Sequence, residues 1–167
     1  MSTEGDELDA FVTRLEYVAV RLQRHAAAQP ASGLTDPDEP GGERWDWGQA
    51  WAHLAEFVPY WTSQMRLILE ATGPGPVPFG RTKTDPGRVE AIERDRNRPT
   101  SEMWSRLQGQ LGELRRFLEE IPADAWGKQG EHSTLGAMDL PRIVDAFLVG
   151  HLEDHATQLD GLAAINR

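Results

Sequence analysis

The segment LPRIVDAFLVGHLEDHATQLDGLAAI, residues 140–165, carries two histidines within the apolar stripe of a predicted helix. Steps of three and four residues keep this stripe on one helical face, and it comprises Leu140, Val144, Phe147, His151, His155, Gln158, Leu162 and Ile165. A helix rises about 1.5 Å per residue, so the two imidazoles lie one turn apart, about 6 Å along the axis, and point the same way. Because burying two imidazoles is unfavourable unless their nitrogens are satisfied, the pair needs a partner in the core.

A divalent metal ion is one such partner, since neutral imidazole is a common ligand for zinc, nickel, copper and iron. A third histidine, His53, lies at the border of the stripe on another predicted helix. His53 is therefore a candidate to complete a three-histidine site with His151 and His155, although separation along the sequence says nothing about proximity in the fold. Three protein ligands leave a coordination position for water or substrate, as catalytic sites do. The spacing leaves an alternative open, in which the pair lies at the core edge and binds carboxylates such as Glu153 or Asp154.

Four amphipathic segments predict four helices, at about residues 6–28, 46–71, 100–121 and 140–165. Thr100 is the predicted cap of the third helix, and Asp139 is the predicted cap of the fourth. Helices of about 20 to 28 residues pack naturally as a four-helix bundle, so the predicted fold class is all-α. No alternating strand pattern competes with this interpretation.

The linkers are long and rich in proline and glycine. Residues 72–99, which include a short helical stretch near 89–95, far exceed the roughly 2–8 residues that join neighbouring helices of a simple bundle. A crossover of this length between the second and third helices allows them to run parallel. The length of 167 residues favours one domain over residues 1–167.

Composition excludes several classes of partner. The net charge of −10 argues against nucleic acid and against an anionic membrane surface. The chain has no cysteine, so no protein thiol can act as a nucleophile or a metal ligand. The N-terminal sequence lacks the basic and apolar regions of a signal peptide, and no run is long enough to cross a membrane. We therefore expect a cytoplasmic protein that acts on a small molecule.

Polar residues near the histidines have several interpretations each. Glu56 follows His53 by three residues; it accepts an imidazole N–H, acts as a general base beside the metal, or is a solvated helix carboxylate. Gln158, in the apolar stripe, bonds a metal-bound water, orients His155, or is a buried amide that bonds to backbone. Asp154 follows His151 by three residues and is a candidate partner for it, but an exposed position is expected.

Other side chains are weaker candidates for function. Tyr60 and Trp61 either line a pocket or belong to the core, and Trp45 and Trp47 are expected to pack the end of the bundle. Three arginines are candidates for binding an acidic ligand, the two in the loop being the better ones, although surface charge is the favoured interpretation; they are Arg66, Arg81 and Arg88. Two further histidines are interpreted as non-ligands; they are His25 and His132.

The segments AHLAEF (residues 52–57) and GHLEDHATQLDGL (residues 150–162) together resemble the DinB-like superfamily. This superfamily includes the mycothiol-dependent maleylpyruvate isomerase and relatives of the bacillithiol S-transferases. The resemblance implies a four-helix bundle with an up-down-down-up course. It also implies a divalent metal, zinc or nickel, held by His53, His151 and His155.

The resemblance further implies transfer or isomerisation chemistry with a low-molecular-weight thiol such as mycothiol. The expected function is therefore that of a metal-dependent thiol S-transferase or isomerase. Two alternatives remain, namely a metal-dependent hydrolase and a non-catalytic bundle that binds a metal or ligand. Relatives often dimerise, so a homodimer is possible.

Overall fold

Four long helices dominate the computed structural model, which describes residues 3–37 and 39–166. Residues 1 and 2 of the N-terminal segment, residue 38 of the first linker and residue 167 lie outside the described residues. The elements are α1 (Thr3–Ala27), α2 (Trp47–Glu70), the short α3 (Pro86–Asp95), α4 (Thr100–Glu120), α5 (Leu140–Ile143), a π-helical turn (Val144–Val149) and α6 (Gly150–Ile165). The last three run on continuously as the fourth long helix, and all four lie close to the predicted bounds.

The four long helices surround one apolar core. Helix α2 contributes the largest buried side chains, among them Trp51, Leu54 and Phe57, all at most 1% exposed. It packs against α4 and α6, and α1 packs against the same two helices. The predicted four-helix bundle is confirmed, whereas the up-down-down-up course stays a prediction. Among the described residues, no helix is both long enough and apolar enough to cross a bilayer.

One of the two predicted helix caps is correct. The Asp139 carboxylate accepts a hydrogen bond from the backbone N–H of Arg142 at 3.1 Å, so it caps the fourth helix as predicted. The prediction for Thr100 is wrong, because α4 follows Pro99 and has no side-chain cap. The Thr100 hydroxyl instead accepts a hydrogen bond from Trp47 Nε1 at 2.9 Å, which ties α4 to the start of α2.

A small sheet that was not predicted joins two of the long loops. Strand β1 (Val77–Phe79) pairs in parallel with β2 (Gln129–His132), which pairs antiparallel with β3 (Gly136–Asp139). Strands of three or four residues are too short to show an alternating pattern. The sheet attaches the crossover segment to the loop before the fourth helix, and it places His132 opposite Phe79.

The carboxylate of Asp95, at the end of α3, is buried among three arginines. It accepts hydrogen bonds from Arg98 at 2.9 Å, Arg106 at 3.0 Å and Arg94 at 3.1 Å. Burial raises the pKa of Asp95, but these hydrogen bonds outweigh burial and lower the pKa from 3.8 to about 2. Since the folded pKa lies below the unfolded one, the stabilisation is present above the unfolded pKa and is lost as the pH falls through the folded one.

We expect Asp95→Asn to lower the free energy of unfolding by about 1–2 kcal/mol at pH 7, a value discounted because the arginines are partly exposed. At about pH 2 the difference between the two proteins should shrink. Urea unfolding of both at each pH measures it, with the exposed Asp9→Asn as control. An equal difference at both pH values would contradict this account of Asp95.

Candidate metal centre

Three histidines from two helices meet beside the core. His53 lies on α2, and His151 and His155 lie one turn apart on α6. The Nε2 atom of His151 lies 3.2 Å from His53 Nε2 and 3.2 Å from His155 Nε2. All three candidate ligand atoms lie within 4.8 Å of one another. The bundle therefore brings together residues that are far apart in the sequence.

The spacing of these nitrogens fits a metal ion. Zinc–imidazole bonds of about 2.0–2.1 Å at the tetrahedral angle place two nitrogens about 3.3 Å apart, close to the two 3.2 Å separations seen here. The donor set, three imidazoles without thiolate, suits zinc, nickel, copper or iron. The cluster can thus hold a divalent metal ion.

Gln158 determines which nitrogen of His155 carries the proton. The Gln158 amide nitrogen donates to the backbone carbonyl of Asp36 at 2.9 Å, and a carbonyl can only accept. The Gln158 oxygen therefore faces His155 Nδ1, at 2.7 Å, and that nitrogen must donate. In the neutral ring, Nε2 then carries the free lone pair, directed at the other two histidines. Gln158 therefore contacts His155 and the backbone at once, as two of its predicted interpretations require.

Glu56 lies next to His53. Its Oε2 lies 3.1 Å from His53 Nδ1, and its other oxygen is paired with the buried guanidinium of Arg81. Burial raises the pKa of Glu56, while the positive charge of Arg81 opposes the rise. Glu56 is not among the described residues that line the cavity. This placement favours the role of acceptor for an imidazole N–H over that of a base facing substrate.

The histidine cluster is strongly desolvated. His53 and His155 are 3% and 2% exposed, and His151 is half-buried. Burial lowers the pKa of His53 and of His151 well below the usual 6.5, and the neighbouring His155 lowers both further. Both rings are therefore neutral at pH 7, the form that binds metals. The Nε2 atoms lie within hydrogen-bond distance of one another, so either a proton on His151 Nε2 or a cation can bridge them.

The cluster opens onto a cavity of about 370 Å³, within the size range of small-molecule sites. The described residues that line it are Glu39, Glu43, Trp45, His53, Trp61, Arg81, Thr82, Lys83, Arg88, His132, Thr134, Leu135, Phe147, His151 and His155. Its wall is apolar along Trp61 and Phe147, and charged along the segment that follows β1. A ligand in this cavity can reach the three imidazoles.

Aromatic rings hold the histidines in place. Trp45 stacks on His53, with ring centroids 5.3 Å apart and planes at 18°. Phe57 meets the His151 ring edge to face at 4.5 Å. Trp45 thus lies against the site, whereas the sequence predicted that it packs the end of the bundle. Its position before α2 offers no periodic signal that would have indicated this contact.

The π-helical turn precedes the histidine pair directly. Its Phe147 ring stacks on Trp61 at 4.0 Å with planes at 8°. Gly150 follows the turn, and a Cβ at this position would lie 2.1 Å from the carbonyl oxygen of Asp145. Only glycine permits so close an approach, and His151 follows it immediately. Wide turns of this kind are frequent at functional sites.

Two of the three candidate arginines line the cavity, and both are ion-paired. Arg88 bonds Glu43 at 2.6 Å, and Arg81 lies over the Tyr60 ring at 3.8 Å while it pairs with Glu56. Arg66 instead lies over Phe117, at 4.5 Å, outside the cavity lining.

The remaining predicted residues lie apart from the three imidazoles. His25, on α1, pairs with Asp160, on α6, and its Nε2 lies 2.6 Å from a carboxylate oxygen of that residue. Asp154 is exposed, as expected. His132 was interpreted as a non-ligand, and it lies in the cavity wall because β2 carries it there. The sequence carries no signal for this position, since the strand is short.

Replacing Gln158 with leucine is expected to weaken zinc binding about 10–100-fold, the usual effect of removing an outer partner of a ligand histidine. The reason is that His155 Nδ1 loses its acceptor. Gln158→Glu keeps an acceptor for His155 and should lose less. Competition with a chromogenic chelator measures both affinities, and wild-type affinity in the leucine variant would contradict the orienting role.

Two solved structures share this architecture. YfiT from Bacillus subtilis, described as a probable metal-dependent hydrolase with an unusual four-helix bundle topology, superposes with a TM-score of 0.76 at 18% identity, over 99% of this chain and 90% of its own. A histidine-to-alanine mutant of the mycothiol-dependent maleylpyruvate isomerase superposes with a TM-score of 0.67 at 13% identity, over 96% of this chain and 64% of its own. The chain shares the four-helix-bundle fold of these two proteins.

No protein-family model matches the sequence, and no curated protein matches it either. At identities of 13% and 18%, the two similarities establish the fold and not the function. The features that point to chemistry are the chain's own histidine cluster and the cavity beside it.

Proposed function

We propose that this chain is a divalent-metal-dependent enzyme whose ion is held by His53, His151 and His155. The observation that carries the proposal is the convergence of three Nε2 atoms at the wall of an open cavity. Three ligands leave room for an exchangeable molecule in the coordination sphere. A divalent ion at such a site lowers the pKa of a bound thiol or water and so supplies a nucleophile at neutral pH.

The residues around the cluster have separable roles in this proposal. Gln158 fixes the tautomer and orientation of His155, and Glu56 does the same for His53. Because Glu56 is engaged by both His53 and Arg81, we assign it a positioning role and not that of a proton shuttle. Trp45 and Phe57 restrict the rotation of the imidazole rings.

The reaction we propose is S-transfer or isomerisation with a low-molecular-weight thiol of the mycothiol type. The chain has no cysteine, so a thiol nucleophile must come from a small molecule. The cavity is large enough for such a molecule beside the imidazoles. One protein of the same fold is a mycothiol-dependent isomerase, although this chain spans only 64% of its length.

Metal-dependent hydrolysis is the second candidate. It is favoured by YfiT, which is described as a probable metal-dependent hydrolase and superposes over 99% of this chain. Both reactions use the same three ligands and the same open position. A bundle that binds a metal or ligand without turnover is the third candidate.

Cobalt-substituted protein separates these candidates. Addition of mycothiol, or of a simple thiol, is expected to produce the ultraviolet thiolate-to-cobalt absorption band, and acetyl and nitrophenyl esters are then tested for cleavage on the same protein. An unchanged spectrum at millimolar thiol would exclude the thiol mechanism. Ester cleavage that depends on cobalt would favour hydrolysis, and neither response would favour the non-catalytic role.

We propose zinc or nickel as the ion, a cytoplasmic location, a small-molecule substrate, and neither nucleic acid nor membrane as a partner. A homodimer is consistent with the family resemblance. Metal content of untagged protein, purified without chelators, tests the first of these directly.

A further inference from the structure

His132 is a buried imidazole in the cavity that the proposed chemistry does not use. It ends β2, is 6% exposed, and lines the same cavity as the histidine cluster. Aromatic rings surround it, with the Phe147 centroid at 5.1 Å, Phe79 at 5.6 Å and Trp61 at 6.3 Å. The direction of its hydrogen bonds is the informative feature.

Two backbone groups determine the tautomer of His132. The N–H groups of Thr134 and Leu135 both donate to Nδ1, at 3.2 and 3.3 Å. Nδ1 therefore carries the lone pair, and in a neutral imidazole the proton is then on Nε2. The turn between β2 and β3 thus holds the ring in one tautomer, with an N–H donor at Nε2.

This Nε2 donor has no acceptor among the described residues, and the atom is buried. A buried N–H without an acceptor destabilises the folded protein. Because the ring lines the cavity, an acceptor atom on a bound molecule is the natural partner. A Cβ at Gly80 would lie 3.2 Å from Nε2, so the backbone of a residue without a side chain borders this nitrogen.

The charge of the cavity indicates the kind of acceptor. Three cationic side chains line it, namely Arg81, Lys83 and Arg88, and each is paired with a carboxylate, Arg81 with Glu56, Lys83 with Glu39 and Arg88 with Glu43. The side chains of Glu39 and Glu43 are 62% and 36% exposed, and exposed ion pairs contribute little free energy. The carboxylate of a bound molecule can therefore replace either glutamate as the partner of Lys83 or Arg88, and the aromatic wall of the cavity favours a flat molecule.

We propose that His132 is a substrate-binding residue whose Nε2–H donates a hydrogen bond to a carboxylate oxygen of a small, flat organic acid. The inference adds a substrate class to the proposed function. It rests on that function only because it takes this cavity as the substrate site. The imidazole cluster and His132 then contact different parts of one ligand. No proton is transferred by His132.

Two substitutions separate donation by Nε2 from the structural role of Nδ1. Asparagine places its oxygen where Nδ1 lies, so His132→Asn keeps an acceptor for the turn and removes the donor. Glutamine places its amide nitrogen where Nε2 lies, so His132→Gln keeps the donor and removes the turn acceptor. Their effects on binding and on stability are expected to be opposite.

Benzoate is the probe, titrated calorimetrically into wild-type protein and both variants, with thermal unfolding measured in parallel. We expect His132→Asn to bind benzoate about tenfold more weakly or worse, and His132→Gln to stay within about threefold of wild type. The glutamine variant should be the less thermostable one. The proposal is overturned if the glutamine variant is both the less stable protein and the weaker binder. It is also overturned if the wild-type protein does not bind benzoate.

Chelator-treated protein distinguishes this inference from the proposed function. Benzoate binding that needs Nε2 but survives chelation supports the role of His132 even if the metal-dependent reaction fails. Binding that is lost on chelation and is insensitive to both variants overturns the role of His132, since the acid then binds only the ion. That second outcome leaves the proposed enzyme intact.

Discussion

Replacing His151 with alanine is expected to abolish the binding of one metal ion per chain without unfolding the protein. His151 is the central member of the cluster, because its Nε2 lies 3.2 Å from the Nε2 atoms of both His53 and His155. The loss should exceed the roughly 10–100-fold that follows from removing an outer partner. In the metal-free protein, the free energy of unfolding should change by less than about 1 kcal/mol, since His151 is half-buried.

Two measurements test the His151→Ala prediction together. The metal-to-protein ratio is measured by mass spectrometry, and thermal unfolding is followed with and without zinc. At free zinc 100 times the dissociation constant, wild type should gain about 2.7 kcal/mol, and the variant should gain almost nothing. His25→Ala is the matched control, because His25 pairs with Asp160 away from the cluster. An alanine variant of His151 that still binds zinc like wild type would refute the three-histidine site.

Replacing Gly150 with alanine is expected to destabilise the fold by about 2–3 kcal/mol, as overpacking does. The new methyl group would lie 2.1 Å from the carbonyl oxygen of Asp145, which is part of the π-helical turn. For a protein of this size, this corresponds to roughly 5–10 °C in the unfolding midpoint. Relief of the clash also shifts His151, the next residue, so we expect weaker zinc binding as well.

The same helix provides the control for Gly150→Ala. Gly161 also lies in α6, but a Cβ there would meet no atom within 4 Å. Gly161→Ala should therefore stabilise the protein by up to about 1 kcal/mol, because alanine favours helix more than glycine does. Calorimetric midpoints of both variants decide the matter. If alanine changes the unfolding midpoint equally at both positions, helix propensity explains both results and the close approach at Gly150 does not affect stability.

The long helices and the histidine pair were predictable because both depend on local periodicity. An i, i+4 spacing places His151 and His155 on one face regardless of tertiary structure. The position of His53 relative to them depends on how α2 packs against α6, and spacing along the chain carries no such information. The sequence predicted that the three meet only through the resemblance to a known bundle.

Features that depend on loops were not predictable. The sheet forms because two distant three- and four-residue strands pair, and it is this pairing that carries His132 to the cavity. The contact between Trp45 and His53 likewise depends on how the segment before α2 folds back. The prediction of a Thr100 cap failed because a hydroxyl near a helix start can bond elsewhere, here to the indole of Trp47.

Because Trp45 stacks on His53, the intrinsic fluorescence of the protein can report metal binding at the histidine cluster. Indole emission responds to the electronic state of a ring in contact with it, and this indole lies 5.3 Å, centroid to centroid, from a proposed metal ligand. Paramagnetic nickel or cobalt near such an indole quenches its fluorescence, whereas zinc does not. Of the six tryptophans, Trp45 alone among the described residues stacks on a member of the histidine cluster, so a Trp45→Phe variant identifies its share of the signal. Metal occupancy can therefore be followed in dilute solution without any added dye.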